Sequence, residues 1–289
     1  MRVFDSFTGT NRGQAATVIQ RHGAFTRLWH WVNAACLLVL LMSGLQIFNA
    51  HPALYWGKDS SFANPALSIH AATGNDGEWR GITQVGPYRF DTTGVLGVSG
   101  PDEARERRAF PAWATLPGPR WLSAGRGWHF LAAWVFVPML LAYLAYLVLS
   151  GQLRRRLLPR RQEWRTLGQS FYDHLRLRFP RGEEARHYNL LQKLAYLLVL
   201  FVVMPLVVLT GLTMSPTMDA AWPWLLDVFG GRQSARTIHF LCALALVIFF
   251  LIHIVLVLVS GVANNLRSMI TGRYRLPASE EVLSDEQQK

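Results

Sequence analysis

Four histidines, His30, His129, His239 and His253, lie at or within long apolar runs of the chain. An imidazole there can relay a proton or, in its neutral form, bind a metal. Taken singly, each is equally well explained as a packed core residue or an interfacial one. The last two are harder to dismiss together, because they are fourteen residues apart. On an α-helix that interval returns to within about 40° of the same face and climbs about 21 Å. Metal–nitrogen bonds are about 2 Å long, so the two imidazoles cannot share one ion. They could each ligate a separate haem iron, the two stacked along one helix. Each iron then needs a second ligand at its own depth.

The elements that must position these residues are membrane spans. Hydrophobic residues make up 51% of the 289-residue chain and charged residues only 16%, with eleven Trp and sixteen Phe. Such a composition suits a bilayer protein with aromatic belts. Four stretches reach the roughly 20 residues that cross a hydrocarbon core: 28–48, 128–149, 194–214 and 238–259. All read as helices, since only helices and closed barrels satisfy every backbone group in lipid. Pro138 and Pro205 interrupt the second and third, as membrane helices tolerate. The fold class expected is therefore an all-α membrane protein, a four-helix bundle forming a single domain over 1–289. Residues 1–26 are polar and the first apolar run is too long for a signal core, so that run is expected to stay as an anchor.

Charge sets the direction of the spans. Segment 152–188 carries ten Arg against four acids, whereas 49–127 has eight Lys or Arg and seven acids. The first 27 residues hold four Arg and one Asp, and Arg267, Arg273 and Arg275 follow the last span. The positive-inside rule then places both termini and 152–188 in the cytoplasm of a bacterial inner membrane, and 49–127 outside. The formal charge of +11 belongs to this membrane face, where it meets anionic lipid, and not to a nucleic-acid groove. Short amphipathic helices are expected across 152–188.

Orientation pairs the histidines. Span one runs outward, which puts His30 level with His253 on the inner side. Span two runs inward, which puts His129, at its start, level with His239 on the outer side. Two imidazoles per iron leave no open position for oxygen, so the chemistry expected is electron transfer. Gly44 lies fourteen residues after His30, where a missing side chain would let a macrocycle approach or would simply let helices pack closely. Leu209-Thr210-Gly211-Leu212 on span three echoes Met42-Ser43-Gly44-Leu45 on span one. His22, His51, His70, His174 and His187 fall in polar segments and read as solvated, with His70 the competitor for the outer site. Cys36 and Cys242 form neither a disulfide framework nor a CxxC site.

These motifs bear a resemblance. Arg27-Leu28-Trp29-His30-Trp31-Val32-Asn33-Ala34, the Ser43-Gly44-Leu45 turn, Trp128-His129, Tyr188-to-Lys193 and the His239/His253 interval are similar to the dihaem cytochrome b subunits. Those subunits anchor bacterial respiratory formate dehydrogenases, nickel–iron hydrogenases and thiosulfate reductases. The resemblance covers the four-span core, while the 49–127 insertion is less typical of it. It implies two haems b, a quinone at the cytoplasmic haem facing Asn189 and Gln192, and a periplasmic molybdenum or iron–sulfur oxidoreductase as partner. Amide side chains suit a quinone carbonyl, although Asn189 equally suits the N-cap of span three. Lys193 is expected to snorkel to the headgroups. The long outer loop reads as a docking surface or as a plain insertion, with a small β-hairpin over Trp79–Val98. Aromatic 110–122 is expected along the outer interface. Two other classes use the same residues: a haem-free histidine relay in a transporter, and a stand-alone dihaem quinol oxidase serving a small oxidant.

Overall fold

The computed structural model describes residues 18–166, 168 and 190–275. Four helices are long and apolar enough to cross a membrane: Ala24–Phe48, Leu122–Leu149, Leu190–Leu212 and Arg232–Val259, spans one to four. The protein is an all-α membrane protein in its spanning part, with a long loop between spans one and two. Span four shows why lipid is the solvent. Leu241, Leu244, Ile248, Leu251, Ile252 and Val255 are all exposed, an unbroken apolar face that only hydrocarbon would cover.

All four spans begin four to six residues earlier than their apolar runs. In span two the difference is Leu122–Gly127, which looks too polar and glycine-rich to be helical. Gly125 is there for packing: a Cβ on it would stand 2.8 Å from Gln46 Cγ on span one. In span three the turn Val199–Val203 is widened to a π-helix immediately before Met204-Pro205. Pro205 can give no N–H to the carbonyl four residues back and its ring would strike it; the wider turn accommodates both.

The chain divides into two compact units, 28–158 with 194–253, and 1–27 with 159–193 and 254–289. In the first, the loop between spans one and two folds into strands. β2 (Ala53–Leu54), β3 (Leu67–Thr73), β4 (Trp79–Val85) and β5 (Tyr88–Asp91) form an antiparallel sheet in chain order. β6 (Gly97–Ser99) pairs with β7 (Glu106–Arg108). The β4–β5 hairpin was expected, and it closes on Gly86-Pro87. Gly86 has φ 55°, the positive value a two-residue hairpin loop needs at its first position. β3 extends this hairpin, pairing with β4 from Leu67↔Val85 to Thr73↔Trp79.

The sheet is seated on the helix ends. Ile69 and Leu54 pack with Phe48 at the end of span one, and Phe240 of span four packs against the same cluster. The loop is also tied down by polar contacts. Asn49 Nδ2 donates to Phe110 O and Phe110 N–H donates to Asn49 Oδ1. Gly57 N–H donates to Ser234 Oγ, and Thr237 Oγ1 donates to Tyr55 O. In the second unit, β1 (Val18–Gln20) pairs with β8 (Arg273–Arg275). The basic segment after span two supplies short helical turns at Leu153–Leu157 and Glu163–Thr166, and most of its remainder lies outside the described residues.

Candidate metal centres

His129 and His239 each sit eight residues into their helices, Leu122–Leu149 and Arg232–Val259. His129 is thus inside span two, not at its start. Their rings face each other with centroids 6.3 Å apart at 57°. His30, in span one, and His253, fourteen residues beyond His239, make a second pair with centroids 6.4 Å apart at 54°. Two imidazoles that each bind one metal through a nitrogen at about 2 Å have ring centres about 6 Å apart. Both pairs fit that requirement. Among the described residues no cluster of three or more His, Cys, Asp or Glu gathers around a point. Two facing imidazoles therefore suit a metal whose remaining ligands come from a macrocycle, as in bis-histidine haem.

The 129/239 pair, at the end of the spans that carries the long loop, is held by hydroxyls. Ser43 Oγ donates to Val39 O at 2.5 Å and lies 3.1 Å from His129 Nδ1. Thr210 Oγ1 donates to Leu206 O at 2.7 Å and lies 3.2 Å from His239 Nδ1. His239 Nδ1 is also 2.9 Å from Val207 O. A carbonyl can only accept, and each hydroxyl has already spent its proton, so both Nδ1 atoms carry hydrogen. That tautomer leaves Nε2 as the free lone pair on each ring, and it fixes each ring's orientation, as the outer partners of metal-bound imidazoles do. Beside each hydroxyl is a glycine. A Cβ on Gly44 would meet His129 Cε1 at 3.5 Å, and one on Gly211 would meet His239 Cε1 at 3.3 Å. What lies nearest these glycines is the histidine ring itself.

The 30/253 pair is held differently. His253 stacks on Phe249, with centroids 6.0 Å apart at 16°, and Trp29 beside His30 stacks on Tyr143 at 3.8 Å. His30 Nδ1, Trp29 Nε1 and Asn33 Oδ1 are buried without a hydrogen-bond partner among the described residues. Stacked rings flank both histidines at this end.

Of the remaining candidates, Gln192 is half-buried in the first turn of span three, and Asn189 lies outside the described residues. Lys193 does not snorkel. Its side chain is 8% exposed and its ammonium bonds Glu163 at 2.7 Å, an acid of the basic segment drawn into pairing by a cation it would otherwise leave buried alone. His70 is exposed on β3, 3.5 Å from Ser68 Oγ, and takes no part in either pair. His174 and His187 lie outside the described residues. His51 is not solvated as expected: its Nε2 is buried and its ring packs near Tyr55 and Phe62. Sequence reasoning missed the hydroxyls of Ser43 and Thr210, although the paired Ser-Gly and Thr-Gly were in view.

Comparison with known proteins agrees with this architecture. A putative protein-methionine-sulfoxide reductase subunit, YedZ1, of Azospira oryzae is 26% identical over 251 residues, covering 87% of this chain and 96% of the relative. No solved structure matches. The prokaryotic cytochrome b561 family matches residues 21–76 and 93–272, and the gap between those segments holds β4 and β5. With all four spans and all four paired histidines inside the match, the chain belongs to the prokaryotic cytochrome b561 family.

Proposed function

We propose that the chain is a dihaem b-type electron-transfer subunit. It would link a quinone pool to an oxidoreductase docked on the side of the long loop. The observation that carries this is the pair of facing imidazoles repeated at two depths, 6.3 and 6.4 Å between centroids. Family membership supports it. When bound, haem supplies one-electron redox chemistry with both axial positions filled. His30 and His253 would hold the inner group, and His129 and His239 the outer. Ser43, Thr210 and the Val207 carbonyl keep the outer imidazoles in the metal-binding tautomer. Asn189 and Gln192 would offer amide donors to a quinone carbonyl at the cytoplasmic side, the basic 152–188 segment and both termini lying on that side.

The partner would bring the substrate chemistry. No CxxC pair or dinucleotide fingerprint stands in this sequence, and the resemblance to respiratory membrane anchors suggests a molybdenum or iron–sulfur enzyme. The name of the Azospira relative adds a narrower option, a reductase of oxidised methionine in proteins. Four alanine variants test the core of the reading. Purified protein should give two haems b per chain in a pyridine haemochrome count. His30→Ala and His253→Ala should each lose the same spectral component, and His129→Ala and His239→Ala the other. Colourless protein, or loss of both components from any one variant, would sink the assignment.

A further inference from the structure

Arg236 stands one turn before His239 on span four and is half-buried. Its guanidinium donates to the His51 carbonyl and lies 5.7 Å from the ring of Phe48. Phe48 and Tyr55 beside it are buried. Among the described residues no carboxylate pairs with it. Arg108, which is buried in the same unit, has more partners. Arg108 reaches Gly118 O, Gln46 Oε1, Thr115 Oγ1 and the carboxylate of Glu106, all within 3.2 Å. A guanidinium withdrawn from water is costly unless an anion or several acceptors compensate it. Arg236 has one backbone carbonyl. His51, packed beside it, adds a second unmet donor or acceptor, since its Nε2 is buried without a partner. Burial first, and then the Arg236 charge, push the His51 pKa down, so that ring is neutral and can donate a hydrogen bond.

We infer that Arg236, with His51 as a second donor, forms a carboxylate site that receives a propionate of the porphyrin ligated by His129 and His239. The inference rests on the haem reading above. A planar guanidinium matches a carboxylate two bonds at a time. The position suits it, because Arg236 is three residues, about 4.5 Å of helix rise, beyond the ligand toward the loop end. Arg236 is then a positioning residue, not a ligand. Its charge favours the reduced state of the neighbouring iron, which carries one positive charge fewer.

The test compares wild type, Arg236→Gln and Arg236→Lys, each purified with its haem and titrated potentiometrically. Glutamine keeps a donor for the His51 carbonyl and removes the charge. We expect the outer haem in that variant to show an equilibrium constant for reduction about tenfold smaller, a fall of about 59 mV for one electron. The inner haem should be unmoved, and lysine should restore most of the loss. If Arg236→Gln loses the outer haem while Arg236→Lys keeps it, the inference also stands. An unchanged potential in Arg236→Gln, or equal haem loss in both variants, overturns it, the second outcome showing a mere tether for the loop. Reconstitution with haem dimethyl ester locates the anion: esterification should weaken uptake in wild type more than in Arg236→Gln, and an equal penalty in both overturns the inference. His239→Ala separates the parent reading, because its failure would appear as an unchanged outer haem component in that variant.

Discussion

At the scale of single residues, the site at the loop end is a pair of repeated devices, a hydroxyl followed by a glycine. Serine and threonine in helices commonly bond back to the carbonyl four residues earlier, and Ser43 and Thr210 do so. Here that back-bond leaves an oxygen lone pair for the imidazole opposite. The glycines are not equivalent. A methyl at position 44 would make ordinary contact with the His129 ring at 3.5 Å, whereas one at 211 would crowd His239 at 3.3 Å. Gly44→Ala should therefore keep outer-haem content near that of wild type. Gly211→Ala must move a ligand ring by a few tenths of an ångström and should retain that haem up to about tenfold less well. Haem content after detergent dilution measures both, and equal behaviour of the two variants would mean the rings are misplaced. The fourteen-residue interval was legible from sequence because helix geometry turns it directly into a face and a depth. The hydroxyls were not, because serine and threonine are frequent in membrane helices and only a facing ring distinguishes these two.

At the scale of elements, the insertion between spans one and two is built onto the helix ends. Arg108, on β7, is its main fastening: the side chain is 1% exposed and joins the 106–118 stretch to Gln46 of span one. Gln46 in turn donates to Pro119 O at 2.7 Å. Replacing Arg108 by Met would leave Gln46 Oε1, Thr115 Oγ1 and Gly118 O short of a donor, at a cost of about 1–3 kcal/mol. A lower melting temperature and faster proteolytic cutting between residues 101 and 120 should follow, with both histidine pairs still competent. Unchanged protease resistance would mean the fastening is elsewhere. Sequence pattern located the four spans because each is a long apolar run, but it started all four late. The early turns are polar or glycine-bearing and earn their helical state from contacts such as Gly125 against Gln46. β3 was missed for a related reason: Leu-Ser-Ile-His-Ala-Ala-Thr carries one β-branched apolar residue, and its strand is specified by pairing with β4 instead of by its own composition.

At the scale of the whole molecule, function depends on which side of the membrane each end faces, and charge is what decides it. On the proposed reading, ten arginines against four acids in 152–188, against near balance in 49–127, would orient the spans with the insertion outside. In that proposal the paired histidines take their roles from the orientation: the pair at the loop end would pass electrons to or from a partner enzyme, and the other pair would serve the quinone. The native cysteines, Cys36 and Cys242, are free and buried, so single introduced thiols can report sidedness over a low background. Ser61→Cys, exposed in the insertion, should react with a membrane-impermeant maleimide on intact spheroplasts. Gln162→Cys, exposed in the basic segment, should react only after permeabilisation. The reverse pattern would exchange inner for outer throughout, and would put the insertion, and with it the proposed partner, on the cytoplasmic side.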